Sequence, residues 1–307
     1  MNVGLFGGTG FVGSNLVNHL ISANYSPYLL IRPGSQNKLN CNLGKVHLIS
    51  GDIDDEKKVK IVLENSDIII YNIGIIREFH SSGITYKKLH FEGLKRVVDL
   101  CKNYKIKRFI LMSANGVEKQ RTGYEIFKFQ AEEYLKKSNL EWTIFRPSLI
   151  FGDSKGKAEF CHQLVRDMIL PPIPAPLFFK KIFFWKAGKF LMSPIHIDNV
   201  CDFFVKSIKM DLCINKTYEL GGLENFNWKQ IIKIISSMKN KNKIVVPAPI
   251  EPIQLVAKLF GRFSWFPITA DQLTMLIDGN ICDSKEHFET FNIDFIPFDK
   301  DSLDYLV

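Results

Sequence analysis

A glycine-rich turn near the N-terminus lies directly between a strand pattern and a helix pattern. Residues 3–6 are a short apolar run with the length of a buried strand, and apolar residues recur at helical spacing from Phe11 to Ile21. Between them, Gly7 would allow a tight turn, Gly10 the approach of a pyrophosphate, and Gly13 close packing of helix on strand. Free N–H groups of the first helical turn attract phosphate charge. This context predicts a dinucleotide-binding unit whose phosphate contacts come from Gly7, Thr9, Gly10, Phe11, Val12 and Gly13.

The remaining chain predicts an α/β architecture. Strand patterns at residues 28–32, 46–50, 67–71, 108–112 and 142–146 alternate with helical segments. This alternation predicts a Rossmann-type, doubly wound parallel sheet over residues 1–152. Prolines and aromatic residues change the texture beyond Gly152, which predicts a smaller α+β substrate domain over 153–307, including a strand at 217–222. Residues 195–215 are expected to pack back onto the first domain.

Composition excludes several classes of protein. The 307 residues carry 40 Lys+Arg and 32 Asp+Glu, a formal charge of +8. The lysines are dispersed and no nucleic-acid-binding module is present, so a solvated basic surface is expected rather than nucleic-acid binding. Six cysteines stand far apart, which predicts neither a metal site nor disulfides and favours a reducing compartment. The N-terminus lacks a signal-peptide pattern and no apolar run reaches membrane-spanning length, so a cytoplasmic protein is expected.

The end of the second strand bears on the choice of cofactor. An acidic residue there would hold both hydroxyls of the adenosine ribose, but this chain has Arg32. A guanidinium suits a 2′-phosphate, so NADP(H) is favoured, with NAD(H) as the second choice. After the third strand, Asp52 could accept from the adenine amino group while Ile53 packs on the ring. Asp52 could equally cap the helix that begins near Asp54.

Three side chains form a set suited to alcohol–carbonyl redox chemistry. Ser113 follows the fifth strand, and Tyr124 and Lys128 lie four apart on one helical face. A lysine ammonium and a cationic nicotinamide would favour the phenolate and lower the pKa of Tyr124. Tyr124 could then act as acid or base during hydride transfer, with Lys128 assisting and Ser113 or Asn115 orienting the substrate oxygen.

Six segments together resemble the extended or atypical short-chain dehydrogenases/reductases, a group that includes NAD-dependent epimerases and dehydratases. They are GGTGFVG, SANGV, YEIFK, RPSLIFG, PIHIDNV and YELGG. Within that group the chain looks most like the branch of the nucleotide-binding accessory subunit of respiratory complex I. The resemblance implies that Asn72 and Gly74 lie along the cofactor and that Pro147 and Ser148 line the nicotinamide.

The same resemblance leaves two functions open. The first is an NAD(P)-dependent oxidoreductase or epimerase-like enzyme that acts on a small molecule, with an apolar substrate as one option. The second is a non-catalytic accessory or assembly protein that retains NADP(H) and associates with a respiratory complex.

An aromatic and basic stretch over residues 178–190 also has two interpretations. It could be a lid over the substrate pocket, or an interfacial patch that places Phe183, Phe184 and Trp185 at the inner face of a membrane.

Overall fold

The computed structural model describes residues 1–261, 263 and 266–307. Its first half alternates strands and helices, as the apolar pattern predicts. In chain order these elements are β1 Asn2–Phe6, α1 Phe11–Ser22, β2 Ser26–Ile31, β3 His47–Ser50, α2 Glu56–Glu64, β4 Ile68–Tyr71, α3 Gly93–Cys101, β5 Arg108–Met112, α4 Gly123–Lys136, β6 Glu141–Pro147 and β7 Ile150–Phe151. A π-helical segment, Lys87–Glu92, leads directly into α3.

Shorter strands make up more of the second half. Its elements are α5 Phe160–Leu164, β8 Ala175–Phe179, β9 Leu191–Met192, β10 Ile195–His196, α6 Ile197–Ser207, β11 Lys216–Leu220, β12 Phe226–Asn227, α7 Trp228–Met238, β13 Val245–Pro249, α8 Ile250–Phe260, α9 Ala270–Ile277 and α10 Lys285–Phe291. Within the described residues, no helix is long and apolar enough to cross a bilayer.

Seven parallel strands form the main sheet in the order β11-β6-β5-β4-β1-β2-β3. Apolar clusters cover both faces, which explains the nearly unbroken apolar runs of the central strands. The order reverses between β1 and β4, so the carboxyl ends of these strands flank the crevice where such sheets bind ligands. The predicted doubly wound parallel sheet is confirmed.

One strand differs from expectation. Residues 217–222 were expected in the smaller domain, but β11 pairs with β6 at the edge of the main sheet, with Tyr218 opposite Phe145. Tyr218, Phe145 and Phe291 pack together through their rings. The strand joins the first core because its inward side chains complete this aromatic cluster, a long-range contact that the local pattern does not contain.

Helix α6 packs against α1 through a charged contact. His19 of α1 lies 3.1 Å from Asp198 through Nε2 and 3.1 Å from Asp202 through Nδ1. These hydrogen bonds raise the pKa of His19 to about 9. His196 caps α6 by accepting from the Asp198 N–H at 3.2 Å. His196 and Asp198 therefore both have structural roles here.

A separate apolar cluster forms the core of the second half. Its buried members include Phe151, Phe178, Trp228 and Leu273. The indole N–H of Trp228 donates to the Pro176 carbonyl at 2.9 Å, and β8 pairs in parallel with β13. These contacts fix β13 and the following helix α8 at the outside of this cluster.

Candidate functional site

The glycine turn connects β1 to α1 at the sheet's ligand-binding edge. Gly7 has φ of +96°, and a Cβ there would lie 2.7 Å from the backbone of Asn72. A Cβ on Gly13 would lie 2.0 Å from the Gly7 carbonyl oxygen. Both positions therefore require glycine because of the protein's own packing. Gly10 differs, since a Cβ there would meet only the Gly7 oxygen, at 3.8 Å.

The first turn of α1 faces the space beside Gly10. Gly10 is the N-cap, and no side chain of a residue that the structure describes accepts a hydrogen bond from the helix N-terminus. Thr9, Phe11 and Val12 are partly exposed around it. The N–H groups and the helix dipole are therefore available to an anion, and the glycine leaves the approach open. This cradle fits the pyrophosphate of a dinucleotide.

The side chains expected on the adenosine side lie beyond β2 and β3. Arg32 is exposed at the end of β2, and no hydrogen bond or ion pair engages its guanidinium among the described residues. Asp52 does not cap α2, because Asp55 performs that role by accepting from the Lys58 N–H at 3.2 Å. The capping alternative for Asp52 is therefore wrong. Ile53 is buried beneath this edge, 4% exposed.

Two further predicted cofactor segments lie at the ends of β4 and β6. The Asn72 N–H donates to the Phe6 carbonyl at 2.8 Å, which holds the turn that contains Gly74 beside the glycine turn. Pro147 accepts from the Asn115 N–H at 3.0 Å. The Ser148 hydroxyl donates to the Ser193 carbonyl inside the protein. The structure thus brings both segments to the same edge of the sheet. The Ser148 hydroxyl is already used there in a hydrogen bond to the protein.

Helix α4 presents Tyr124 and Lys128 to that same edge. The helix begins at Gly123, and Thr122, the residue before it, forms a capping box with Glu125. The Lys128 ammonium donates to the Met112 carbonyl at 3.0 Å and lies 5.7 Å from the Tyr124 ring centroid. It also lies 3.8 Å from where a Cβ of Gly74 would be. Tyr124, Lys128 and the turn that follows β4 therefore lie close together at this edge.

Burial sets the ionisation of both side chains. It lowers the pKa of Lys128 to about 8, against an opposing effect of Glu132. Burial, and then the charge of Glu125, raise the pKa of Tyr124 above its ordinary value. This direction is opposite to the lowering expected from a neighbouring ammonium. The protein's own groups therefore keep the phenol protonated.

Ser113 lies near this point, but its hydroxyl is directed elsewhere. It donates to Glu132 in the protein interior. Glu132 also accepts from Arg146, at 2.9 Å from Nε and 2.6 Å from a terminal nitrogen. Asn115 donates to the Asn280 side chain at 2.7 Å. Both candidates for orienting a substrate oxygen are thus engaged by other protein groups.

His90, which the sequence pattern did not single out, lies against Tyr124. Their ring centroids are 5.2 Å apart and the planes are 89° apart, while Tyr86 stacks on His90 at 5.4 Å and meets Tyr124 edge-on at 5.8 Å. His90 Nε2 accepts from the Ile75 N–H at 3.0 Å. Burial, and then the charge of Lys128, lower the pKa of His90 well below its ordinary range. In the sequence, the only sign of His90 is its position within a predicted amphipathic helix. The π-helical turn that directs its side chain inward leaves no sign in the sequence pattern.

The fold and this edge define a nucleotide-binding α/β protein, and similarity to known proteins specifies its family. The NAD(P)H-binding family model matches residues 7–164, about half of the chain, and this protein belongs to that family. The predicted relationship to extended short-chain dehydrogenases/reductases is confirmed by relatives that include both complex I subunits and epimerases.

Two relatives and one solved structure illustrate the range of proteins to which this chain is similar. The mitochondrial 40 kDa subunit of NADH-ubiquinone oxidoreductase from Neurospora crassa is 22% identical over 92% of this chain and 72% of its own. UDP-glucose 4-epimerase from Vibrio cholerae is 24% identical over 92% of this chain and 88% of its own. A UDP-glucuronic acid 4-epimerase from Bacillus cereus, solved with UDP-glucuronic acid and NAD, superposes with a TM-score of 0.73 at 17% identity, covering 100% and 99% of the two chains.

Proposed function

We propose that this protein is an NADP(H)-dependent reductase of a carbonyl group, with Tyr124 as the proton donor. The proposal rests on one observation. Lys128 Nζ lies next to the Met112 carbonyl, the turn that contains Gly74 and the Tyr124 ring. Met112 and the Gly74 turn lie at the carboxyl ends of the adjacent strands β5 and β4, beside a cradle that fits a pyrophosphate, and α4 carries Tyr124 and Lys128 to this edge.

The chemistry divides between cofactor and protein. A bound nicotinamide supplies hydride. Tyr124 holds a proton on its phenol oxygen, because burial raises its pKa, and gives that proton to the oxygen that becomes the alcohol. Lys128, whose lowered pKa still leaves it mostly charged at neutral pH, stabilises the phenolate that remains and can hold a ribose hydroxyl. Because the phenol is protonated, Tyr124 is in the form that can donate a proton during carbonyl reduction.

Arg32 supports NADP(H) as the preferred cofactor. Its exposed guanidinium has no other partner in the described part of the chain and stands at the end of β2, where the adenosine ribose lies in this fold. A 2′-phosphate would satisfy it with charge-assisted hydrogen bonds.

The commitment of Ser113 to Glu132 favours a second candidate, a protein that retains NADP(H) without turnover. The similarity to the 40 kDa subunit supports an accessory or assembly role at a respiratory complex. In that case the nucleotide would stabilise the fold and Tyr124 would be dispensable.

Single-turnover assays with NADPH and a panel of carbonyl compounds test the first function, using wild type and Tyr124→Phe. We expect turnover to fall by about 10²–10⁴-fold in the variant while NADPH binding persists. Tyr25→Phe, which changes a tyrosine just beyond the C-terminal end of α1, is the matched control and should leave turnover unchanged. Tightly retained nucleotide with no turnover of any carbonyl would support the accessory function instead.

A further inference from the structure

An exposed apolar loop lies between β8 and β9. Ile182 is 76% exposed, Phe184 63% and Trp185 51%. The Phe183 and Phe184 rings both pack edge-on against Trp185, at centroid distances of 5.2 Å and 5.4 Å. These aromatic side chains therefore pack against one another on the surface and do not enter the core.

Helix α8 extends this apolar surface. Ile250 and Ala257 point into the second core, whereas Leu255 and Leu259 are 62% and 59% exposed. These two leucines share a helical face with Glu251, because they follow it by four and eight residues. Glu251 accepts a hydrogen bond from the Lys181 N–H at 2.7 Å. The loop is thus held against the start of the exposed leucine row, and the two elements form one surface.

The charge around the surface is positive. Residues 180–189 include four lysines and no acidic residue, and Lys258 lies on α8 beside the leucines. Lys186 Nζ lies 5.5 Å from the Phe183 ring centroid, while Lys180 is bound to Asp278 at 3.1 Å. Lysine is depleted at protein–protein interfaces. Tryptophan, phenylalanine and leucine flanked by lysine are instead typical of segments that lie in the headgroup region of a bilayer.

We propose that the loop over residues 180–186 and the outer face of α8 together bind the surface of an anionic lipid bilayer. Phe184, Trp185, Leu255 and Leu259 enter the boundary between headgroups and acyl chains. Lys181, Lys186 and Lys258 contact the headgroup phosphates. The inference concerns peripheral binding and is independent of the proposed reduction.

Co-sedimentation of the full chain with lipid vesicles tests this surface. The vesicles contain phosphatidylcholine alone or with about one third phosphatidylglycerol, at about 0.05 M and about 0.5 M NaCl. We expect binding to the anionic vesicles that weakens at least about fivefold at the higher salt concentration.

Variants separate the two elements. Phe184→Ser with Trp185→Ser, and separately Leu255→Gln with Leu259→Gln, should each weaken binding by about tenfold or more. Lys181→Gln with Lys186→Gln should lower binding and flatten its salt dependence. Leu43→Gln and Leu212→Gln, which alter leucines 50% and 55% exposed elsewhere, are the controls and should bind as wild type. Unchanged thermal unfolding and NADPH binding would show that each variant is folded.

Two results would overturn the proposal. One is no sedimentation of the folded wild type with anionic vesicles at low salt. The other is binding that the loop and α8 variants reduce no more than the two control variants do.

Discussion

The ring of Tyr124 meets the ring of His90 edge-on, with centroids 5.2 Å apart. His90 Nε2 accepts from the Ile75 N–H, so the proton of the neutral imidazole is on Nδ1. That buried Nδ1 has no hydrogen-bond partner among the described residues. The π-helical segment therefore places a neutral, oriented imidazole directly beside the proposed proton donor.

His90→Phe should destabilise the protein by about 1–3 kcal/mol, because the Ile75 N–H would lose its buried acceptor. The lowered pKa of His90 also means that wild-type stability falls as the pH drops below 6.5, where the unfolded state takes up a proton that the native state does not. The variant should lose this part of the pH dependence. Urea unfolding across that range measures both effects. His80→Phe, at a side chain 73% exposed, is the control and should change stability by less than about 0.5 kcal/mol.

Lys128→Met should stabilise the unliganded protein at neutral pH. With the pKa lowered from 10.5 to about 8, the buried charge opposes folding by about 3 kcal/mol below pH 8, and this penalty disappears as the pH rises to 10.5. Loss of the hydrogen bond to Met112 offsets about 1 kcal/mol, which leaves a net gain of about 2 kcal/mol. Thermal and urea unfolding measure the gain, and NADPH turnover should fall in the same variant. A less stable variant would contradict the lowered pKa.

Arg32→Ala should weaken NADPH binding by about 10–100-fold and leave NADH binding within about twofold, because only NADPH carries the 2′-phosphate. Fluorescence titration of both nucleotides measures the two affinities. Arg166→Ala is the matched control, since Arg166 is an exposed arginine paired with Asp167. Equal weakening of both nucleotides by Arg32→Ala would remove the argument for NADP(H).

The contact between α1 and α6 should weaken as the pH rises. The pKa of His19 is raised from 6.5 to about 9, so its stabilising effect is complete below pH 6.5 and is lost as the pH rises through about 9. Because these side chains are partly exposed, we expect a contribution of about 1 kcal/mol. Comparing urea unfolding of wild type and His19→Asn at the two ends of this range measures it. A difference that stays constant across the range would show that His19 acts without its charge.

Local sequence was sufficient for the features that depend on short-range geometry. The glycines of the turn, the helix that carries Tyr124 and Lys128, and the alternation of strands and helices all follow from spacing along the chain. Gly13 shows why, since a Cβ there would meet the carbonyl oxygen of Gly7 within the same strand–turn–helix unit.

Tertiary structure decided which of these side chains are available and in what state. Ser113 donates to Glu132, which lies on α4, and β11 joins the main sheet through aromatic contacts between residues far apart in the chain. The pKa of Tyr124 rises because its surroundings exclude water, which no spacing in the sequence specifies. Residue types and their periodicity determined the fold and the cofactor cradle. Hydrogen-bond partners and burial come from residues far apart in the chain, so only the folded structure determined the chemistry at the end of β5.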